Sequence, residues 1–240
     1  MVYVAGETHG KFDALSKFSK GDEGKFLSKN DYVIVPGDFG VWHKTLNEIK
    51  KLDSTLNFKL LFLDGNHEHY KLLNSFPEKQ FCGGKVHDVY GVYHLCRGEV
   101  YKLPIEGDCI TIAVCGGGDS KDKNMRVEGV TWFPEETISN EDVENLFYNV
   151  KNHTKIDYFI SHSLSAEIKS EWNYKLINSM FPVLSTFEMH ESDFRIRDIV
   201  SKLKAGQYIS AHEHVDREFL LNGKKYRCVY RDFVKLEKTP

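Results

Sequence analysis

The first third of the chain alternates short apolar runs with amphipathic segments. Residues 2–5, 32–35 and 59–63 are runs of mostly bulky apolar side chains. These runs are too short for a helix, so they are predicted to be buried strands. Residues 11–20 and 43–52 lie between them and carry apolar side chains at helical spacing. The resulting β-α-β-α-β order predicts a parallel sheet whose strands are connected by helices.

The hydrophobic pattern changes beyond residue 85. Strand-like segments now alternate with turn residues such as Gly91, Gly98 and Gly107. The segments lie at 86–90, 92–95, 100–103 and 109–114. This spacing is typical of antiparallel hairpins, and we expect the segments to form a second sheet.

The second half of the chain contains further helix and strand signals. Ser139 is the expected N-cap of a helix that continues to about residue 151, and Gly206 is the expected end of a helix over 193–204. Residues 164–192 favour helical structure without a clear register. Asn222 and Gly223 predict the turn of a hairpin. Strands are expected at 156–161, 208–211, 218–221 and 225–230.

Composition limits the classes of protein to consider. The 240 residues are 41% hydrophobic and 28% charged, as in an ordinary globular protein. No linker divides the chain, and we predict a single domain over residues 1–240. No apolar run could span a bilayer and no signal peptide is visible, so we expect a cytoplasmic protein without a membrane partner. The net charge of −3 and the pI near 6.4 argue against a broad nucleic-acid footprint.

The cysteines do not indicate a disulfide framework or a zinc knuckle. There are five of them, an odd number, and no two form a C-x-x-C pair. They are Cys82, Cys96, Cys109, Cys115 and Cys228. We therefore expect reduced and mostly buried thiols.

Metal-capable side chains follow five of the predicted strands. They are Glu7, His9, Asp38, Asn66, His67, His162, His212 and His214. Because an open sheet presents its ligands beyond the carboxyl ends of its strands, we expect these side chains to converge. Oxygen and nitrogen donors suit Mn²⁺, which we expect, or Fe, Zn²⁺ or Ni²⁺. These donors are more than one tetrahedral ion can bind. Two ions ~3.5–4 Å apart that share a carboxylate would use them.

Two such ions fit the hydrolysis of a phosphoester. They polarise the phosphoryl oxygens and lower the pKa of a water molecule between them. An imidazole that is not a ligand can protonate the leaving alkoxide, and His67 is the candidate for this general acid.

The order of these residues resembles the pattern of the calcineurin-like metallophosphoesterases, which is D-x-H, GD, GNH[DE], H and GHxH. The matching segments are Glu7-Thr8-His9, Gly37-Asp38, Gly65-Asn66-His67-Glu68, His162 and Ala211-His212-Glu213-His214. The resemblance covers almost the whole chain and is closest to small bacterial and phage members. It implies an α/β fold with mixed sheets, arranged as a four-layer α/β/β/α sandwich.

The resemblance also implies a role for each residue. The ligands of the first metal would be Glu7, His9 and His214. The ligands of the second metal would be Asn66, His162 and His212. Asp38 would bridge the two ions, a bridging hydroxide would attack the phosphorus, and His67 would be the general acid.

Two positions depart from the family pattern. Glu7 stands where the family has aspartate, so its longer side chain must fold back, or its backbone must shift, to keep a metal bond near ~2.1 Å. Ala211 replaces a glycine, and a positive φ there would cost on the order of 1 kcal/mol.

Other polar residues are weaker candidates. We consider four of them for contacts with the substrate: Arg97, Ser120, Asp122 and Arg126. Arg97 has a guanidinium that can clamp a phosphate or pair with an acidic side chain. Five other histidines do not follow the pattern of strand ends and are expected to be structural or surface residues. They are His69, His87, His94, His153 and His190.

The favoured hypothesis is a two-metal phosphoesterase for a phosphomonoester or phosphodiester, with a small, nucleotide-like compound as the expected substrate. One alternative is a catalytically weak binding scaffold that keeps the fold, which the exchange at Glu7 motivates. Another is a nuclease, which requires a basic groove with aromatic side chains and finds little support in the acidic composition.

Overall fold

The computed structural model describes residues 1–177 and 187–239, and for residues 174–177 it describes the backbone alone. The helices are α1 (Asp13–Lys20), α2 (Leu46–Thr55), α3 (Tyr70–Leu73), α4 (Asn140–Val150), α5 (Ala166–Ile177) and α6 (Glu191–Lys202). The first strands are β1 (Val2–Val4), β2 (Tyr32–Val35), β3 (Lys59–Phe62), β4 (Glu78–Phe81), β5 (Gly84–Val89), β6 (Val92–Leu95) and β7 (Val100–Ile105). The others are β8 (Asp108–Cys115), β9 (Ile156–Ser161), β10 (Ala205–Ser210), β11 (Arg217–Leu221), β12 (Lys224–Cys228) and β13 (Val234–Leu236).

The strands form two mixed sheets. The first has the order β13-β1-β2-β3-β6-β5-β4, and the second has the order β11-β12-β10-β9-β8-β7. In the first sheet β1, β2 and β3 are parallel, as the alternation of strands and helices predicts, and β6 is parallel to β3 as well. In the second sheet β8, β9, β10 and β12 are parallel. The carboxyl ends of these parallel strands therefore lie at one edge of each sheet.

Three apolar clusters separate four layers. Side chains of both sheets, among them Ile34, Leu61 and Ile160, pack against each other in the middle. The other face of the first sheet packs against α1 and α2, and the other face of the second sheet packs against α4, α5 and α6. This α/β/β/α arrangement confirms the expected fold class. Among the described residues, no helix combines the length and the apolar character needed to span a bilayer.

The sheet assignment of the hairpin region is only half right. The hairpin of β5 and β6 joins the first sheet, through β6 beside β3, and only β7 and β8 belong to the second. Alternation along a strand identifies its buried face but not the sheet that its edge joins. The edge strands β4 and β13 were not predicted.

The predicted helix boundaries agree with the structure at Ser139 and differ from it at Gly206. Ser139 caps α4 and forms a capping box with Asp142, as expected. Gly206 does not end α6, because that helix stops at Lys202 and Gly206 lies within β10. Of the unclear stretch 164–192, the structure has α5 and the start of α6, while 178–186 lie outside the described residues.

Candidate metal centre and catalytic site

The loops that follow the strands hold the candidate ligands in an unusual backbone conformation. His9, Asp38, His212 and His214 have φ values of 47°, 48°, 67° and 53°. This left-handed region is uncommon for residues other than glycine and costs on the order of 1–3 kcal/mol. The surrounding structure therefore keeps four of the candidate ligands in strained positions, as is frequent at functional sites.

Glu7, His9 and His214 form the first group of donors. Glu7 Oε2 lies 3.0 Å from His9 Nε2 and 2.9 Å from His214 Nε2. Burial acts to raise the pKa of Glu7, but its hydrogen bonds with the two histidines hold that pKa well below the ordinary value. The same hydrogen bonds raise the pKa of His9 and of His214.

Asp38, His162 and His212 form the second group, and Asn66 lies beside it. His162 Nε2 is 3.4 Å from Asp38 Oδ1, 3.2 Å from His212 Nδ1 and 3.2 Å from Asn66 Oδ1. His162 Nδ1 lies 3.0 Å from the carbonyl oxygen of Pro36. Donation of the Nδ1 proton to that oxygen leaves the Nε2 lone pair directed at the group.

Asp38 of the second group also lies close to the first group. Its Oδ2 is 3.7 Å from Nδ1 of His9, while its Oδ1 faces His162 and accepts a hydrogen bond from the backbone of His67. Ligand atoms of Asp38 lie within 4.8 Å of those of His9 and His67, and also of those of His162 and His212. One carboxylate is thus close to donors on both sides.

The donor set fits divalent cations. The Glu7 and Asp38 side chains are 0% and 2% exposed. Within the described part of the chain, their ion-pair partners are histidines and not lysine or arginine. Buried carboxylates require compensating charge, and a cation held by mixed oxygen and nitrogen donors supplies it.

Two glycines let the donors approach one another. A Cβ at Gly65 would lie 2.2 Å from Asp38 Oδ1, and a Cβ at Gly37 would lie 2.1 Å from His162 Nδ1. Gly37 also has a φ of 110°, which side chains rarely tolerate. Glycine at the ends of β2 and β3 is therefore required by close packing within the site.

His67 stands at the mouth of the site beside Arg126. Arg126 Nη2 is 3.3 Å from Nδ1 of His67 and, as a guanidinium, can only donate, so Nδ1 accepts. The proton of the neutral ring then resides on Nε2. Burial lowers the pKa of His67; Asp38 opposes this effect and the charge of Arg126 adds to it.

A cleft of about 630 Å³ opens over these residues. Its floor includes Asp38, Asn66, His67, His212 and His214. Its walls carry Lys121, Asp122, Arg126 and Arg217, together with Trp172 and Phe187. This volume is typical of sites for small molecules, and three cationic side chains line the cleft together with the acidic Asp119, Asp122 and Glu213.

The match to a protein-family model identifies the family of this chain. The model for the calcineurin-like phosphoesterases matches residues 1–216. The chain belongs to this family. The membership confirms the predicted class of reaction, hydrolysis of a phosphoric ester.

Solved structures with the same fold are distant in sequence. Phosphopantetheinyl hydrolase from Mycobacterium tuberculosis is 15% identical with a TM-score of 0.51, and the match covers 96% of this chain and 89% of that one. TT1561 of Thermus thermophilus is 10% identical with a TM-score of 0.54, covering 96% and 88%. A putative 5'-nucleotidase from Staphylococcus aureus is 13% identical with a TM-score of 0.51, covering 95% of this chain but 48% of that one. A comparison with curated proteins finds no significant match.

The phosphoesterase accommodates both departures from the family pattern. The Glu7 side chain is fully buried, and while Oε2 reaches the two histidines, Oε1 accepts a hydrogen bond from the backbone of His212. One carboxylate thus holds the loops after β1 and β10 together. Ala211 does not have a positive φ, whereas His212 does, so the strain lies one residue later than expected.

The four residues expected to contact the substrate lie in three different places. Asp122 and Arg126 line the cleft and pair with each other at 2.8 Å. Ser120 is buried, accepts a hydrogen bond from the Asn66 amide and donates one to Glu136, so it orients a candidate ligand.

Arg97 lies away from the cleft, contrary to the idea of a phosphate clamp. Its guanidinium donates to Asp64 at 2.6 and 2.8 Å and pairs with Asp142 at 3.2 Å. Burial acts to raise the pKa of Asp64, but Arg97 and His94 hold it far below the ordinary value. Arg97 therefore pairs with a buried acidic residue, which is the alternative to a phosphate clamp that the sequence left open.

Sequence reasoning missed a buried ion triad behind the H-x-H loop. Lys169 on α5 is fully buried and pairs with Asp193 at 2.7 Å and with Glu213 at 2.5 Å. Glu213 stands between two candidate ligands, so the triad connects their loop to the outer helices. Glu68, which directly follows His67, accepts hydrogen bonds from the backbone of Gly40 and Val41 and so fixes the loop after β2.

The substitution Gly65→Ala is expected to disrupt the metal centre while leaving the fold in place. The new Cβ would overlap Asp38 Oδ1, at 2.2 Å, and Nε2 of His162, at 2.7 Å. Metal retained after dialysis, measured by elemental analysis, should fall at least about tenfold, and phosphoesterase activity should fall with it.

Gly107→Ala is the matched control. A Cβ at this position meets no atom within 4 Å, so only the positive φ costs stability, about 1 kcal/mol. Equal metal retention in both variants would contradict the close packing deduced around Gly65.

Proposed function

We propose that the protein is a two-metal phosphoesterase that hydrolyses a small, nucleotide-like phosphomonoester or phosphodiester. The observation that carries the proposal is the position of the Asp38 carboxylate between two groups of donors. The first ion would be held by Glu7, His9, His214 and Asp38. The second ion would be held by Asp38, Asn66, His162 and His212.

Manganese is the ion we propose, with iron, zinc or nickel as alternatives, because all the donors are oxygen or nitrogen and none is sulfur. When bound, the ions polarise the phosphoryl oxygens and lower the pKa of water. The chain holds its donors ready through hydrogen bonds, such as that of His162 to Pro36 and that of Asn66 to Ser120.

His67 is the proposed general acid. Its ring lines the cleft beside Arg126, and in the protonated, imidazolium form it passes a proton to the leaving oxygen and returns to the neutral form. The backbone of His67 donates to Asp38, which keeps the ring close to the donors without requiring it as a ligand.

The cleft supports a compact phosphorylated substrate. Its volume of about 630 Å³ suits a nucleotide-sized molecule, and Lys121, Arg126 and Arg217 can neutralise phosphate charge. Two of the structural neighbours are named as a phosphopantetheinyl hydrolase and a putative 5'-nucleotidase. We further propose that residues 1–240 act as one domain, since both sheets contribute donors.

Removal of metal is expected to abolish activity. Chelator-treated protein should not hydrolyse p-nitrophenyl phosphate or bis-p-nitrophenyl phosphate, and added Mn²⁺ should restore the reaction. Loss of an outer hydrogen-bond partner of a metal ligand costs ~10–100-fold in activity. Asp38→Asn should lose more activity than this, because both groups of donors lose their shared carboxylate. Elemental analysis should find close to two manganese ions per chain in the wild type.

Asp22→Asn is the control, since Asp22 is exposed and pairs only with the neighbouring Lys25 among the contacts described. Full activity of the chelator-treated protein would overturn the two-metal hypothesis. Less than one ion per chain with no hydrolysis would favour a binding scaffold.

His67→Asn is expected to impair substrates with poor leaving groups selectively. A nucleoside monophosphate requires protonation of an alkoxide, so its kcat should fall ~10²–10⁴-fold. p-Nitrophenolate leaves without a proton, so p-nitrophenyl phosphate should be affected much less. His43→Asn, at an exposed position, is the control, and equal losses on both substrates would exclude His67 as the acid.

Arg126→Gln is expected to shift the pH dependence of the reaction. A general acid must be protonated, so kcat/KM should fall as the pH rises through the pKa of His67. Arg126 lowers that pKa, and its removal should raise it. The alkaline limb of the profile for a nucleoside monophosphate should therefore move to higher pH, whereas an unmoved limb would contradict the assignment.

A further inference from the structure

A second cluster of metal-capable side chains lies outside the catalytic cleft. His87 on β5 is directly opposite His94 on β6, so both side chains share one face of the sheet. Cys96 follows two residues after His94, just beyond the end of β6, and its Sγ lies beside the His87 ring. Val86 and Leu95, which alternate with them, belong to the core between the two sheets, so the cluster occupies the opposite face.

The donor atoms of this cluster converge. His87 Nδ1 lies 3.0 Å from Nδ1 of His94 and 3.8 Å from Sγ of Cys96. The three donor atoms all lie within 4.8 Å of one another. Zinc bonds of ~2.0–2.1 Å to nitrogen and ~2.3 Å to sulfur place tetrahedral donors about 3.3–3.7 Å apart. The two distances from His87 Nδ1 differ from this range by a few tenths of an ångström at most.

A carboxylate behind the cluster orients one of the rings. His94 Nε2 lies 3.0 Å from Asp64 Oδ1, and Arg97 holds the other oxygen of the same carboxylate. Donation of the Nε2 proton to Asp64 leaves the Nδ1 lone pair directed at the cluster. A carboxylate that holds a histidine in this way is the usual outer partner of a metal ligand.

The cluster is accessible and separate from the catalytic site. The three side chains line a cavity of about 620 Å³, and Cys96 is partly exposed. In the described part of the chain, this cavity and the catalytic cleft have no lining residue in common. An ion can therefore enter without passing the proposed catalytic metals.

We propose that His87, His94 and Cys96 bind one zinc-type cation, in addition to the two ions of the catalytic centre. A thiolate with two imidazoles is a donor set that favours Zn²⁺, unlike the oxygen-rich catalytic groups. On binding, the Cys96 thiol forms the sulfur–metal bond and releases its proton to solvent. The cavity beside the three side chains leaves room for water as a fourth ligand.

Cobalt(II) distinguishes this site from the catalytic one. A thiolate bound to Co²⁺ absorbs in the near ultraviolet through charge transfer, whereas the oxygen and nitrogen donors of the catalytic centre do not. Titration of the chelator-treated, full-length protein with Co²⁺ should produce this band and saturate it by three ions per chain, the two proposed catalytic ions included. Added Zn²⁺ should remove the band.

The variants make the assignment specific. Cys96→Ser should abolish the band, and His87→Gln should raise the Kd for Co²⁺, read from the band, by more than about tenfold. Cys82→Ser is the matched control, since Cys82 is also a partly exposed free thiol and should leave the band unchanged.

Circular dichroism should show that all three variants are folded. No charge-transfer band in the wild type, or a band that persists in Cys96→Ser, would overturn the proposal. Neither result depends on hydrolysis of a phosphoester, so the outcome is independent of the proposed function.

Discussion

Two buried carboxylates, Glu7 and Asp38, impose the main constraint on this structure. Both are shielded from water, and within the described chain their ion-pair partners are histidines. Such an arrangement is costly unless positive charge compensates for it. The strained loops and the glycines at strand ends are consequences of bringing these carboxylates and imidazoles together, and divalent cations are the species that would stabilise the result.

The outer parts of the fold keep the donors in place. His162 is oriented by the carbonyl of Pro36, and Asn66 by Ser120, which in turn bonds to Glu136. Lys169, buried in the helical layer, holds Glu213 between two donors of the H-x-H loop. The loops around the site and the helical layer of the second sheet thus reach the centre through hydrogen bonds or ion pairs, and these contacts favour a single geometry of the donors.

Much of the fold was predictable because its elements have strong local patterns. The apolar runs of β1, β2 and β3 and the amphipathic helices between them were recognised, as was the cap at Ser139. The edge strand β4 was missed because its sequence, Glu-Lys-Gln-Phe, is largely exposed and carries no apolar alternation. The sheet that receives the β5–β6 hairpin was assigned wrongly, because pairing between distant strands leaves no periodic signal in either of them.

The sequence alone determined the class of reaction and the candidate donors, because each donor follows a buried strand within a short motif that local spacing reveals. Only the tertiary structure decided which partners these side chains have. In the tertiary structure Arg97 binds Asp64 and does not reach the cleft, and His87, His94 and Cys96 lie together. The physical reason is that ion pairs and donor clusters depend on the register between strands and on the packing of layers, which neighbouring residues do not encode.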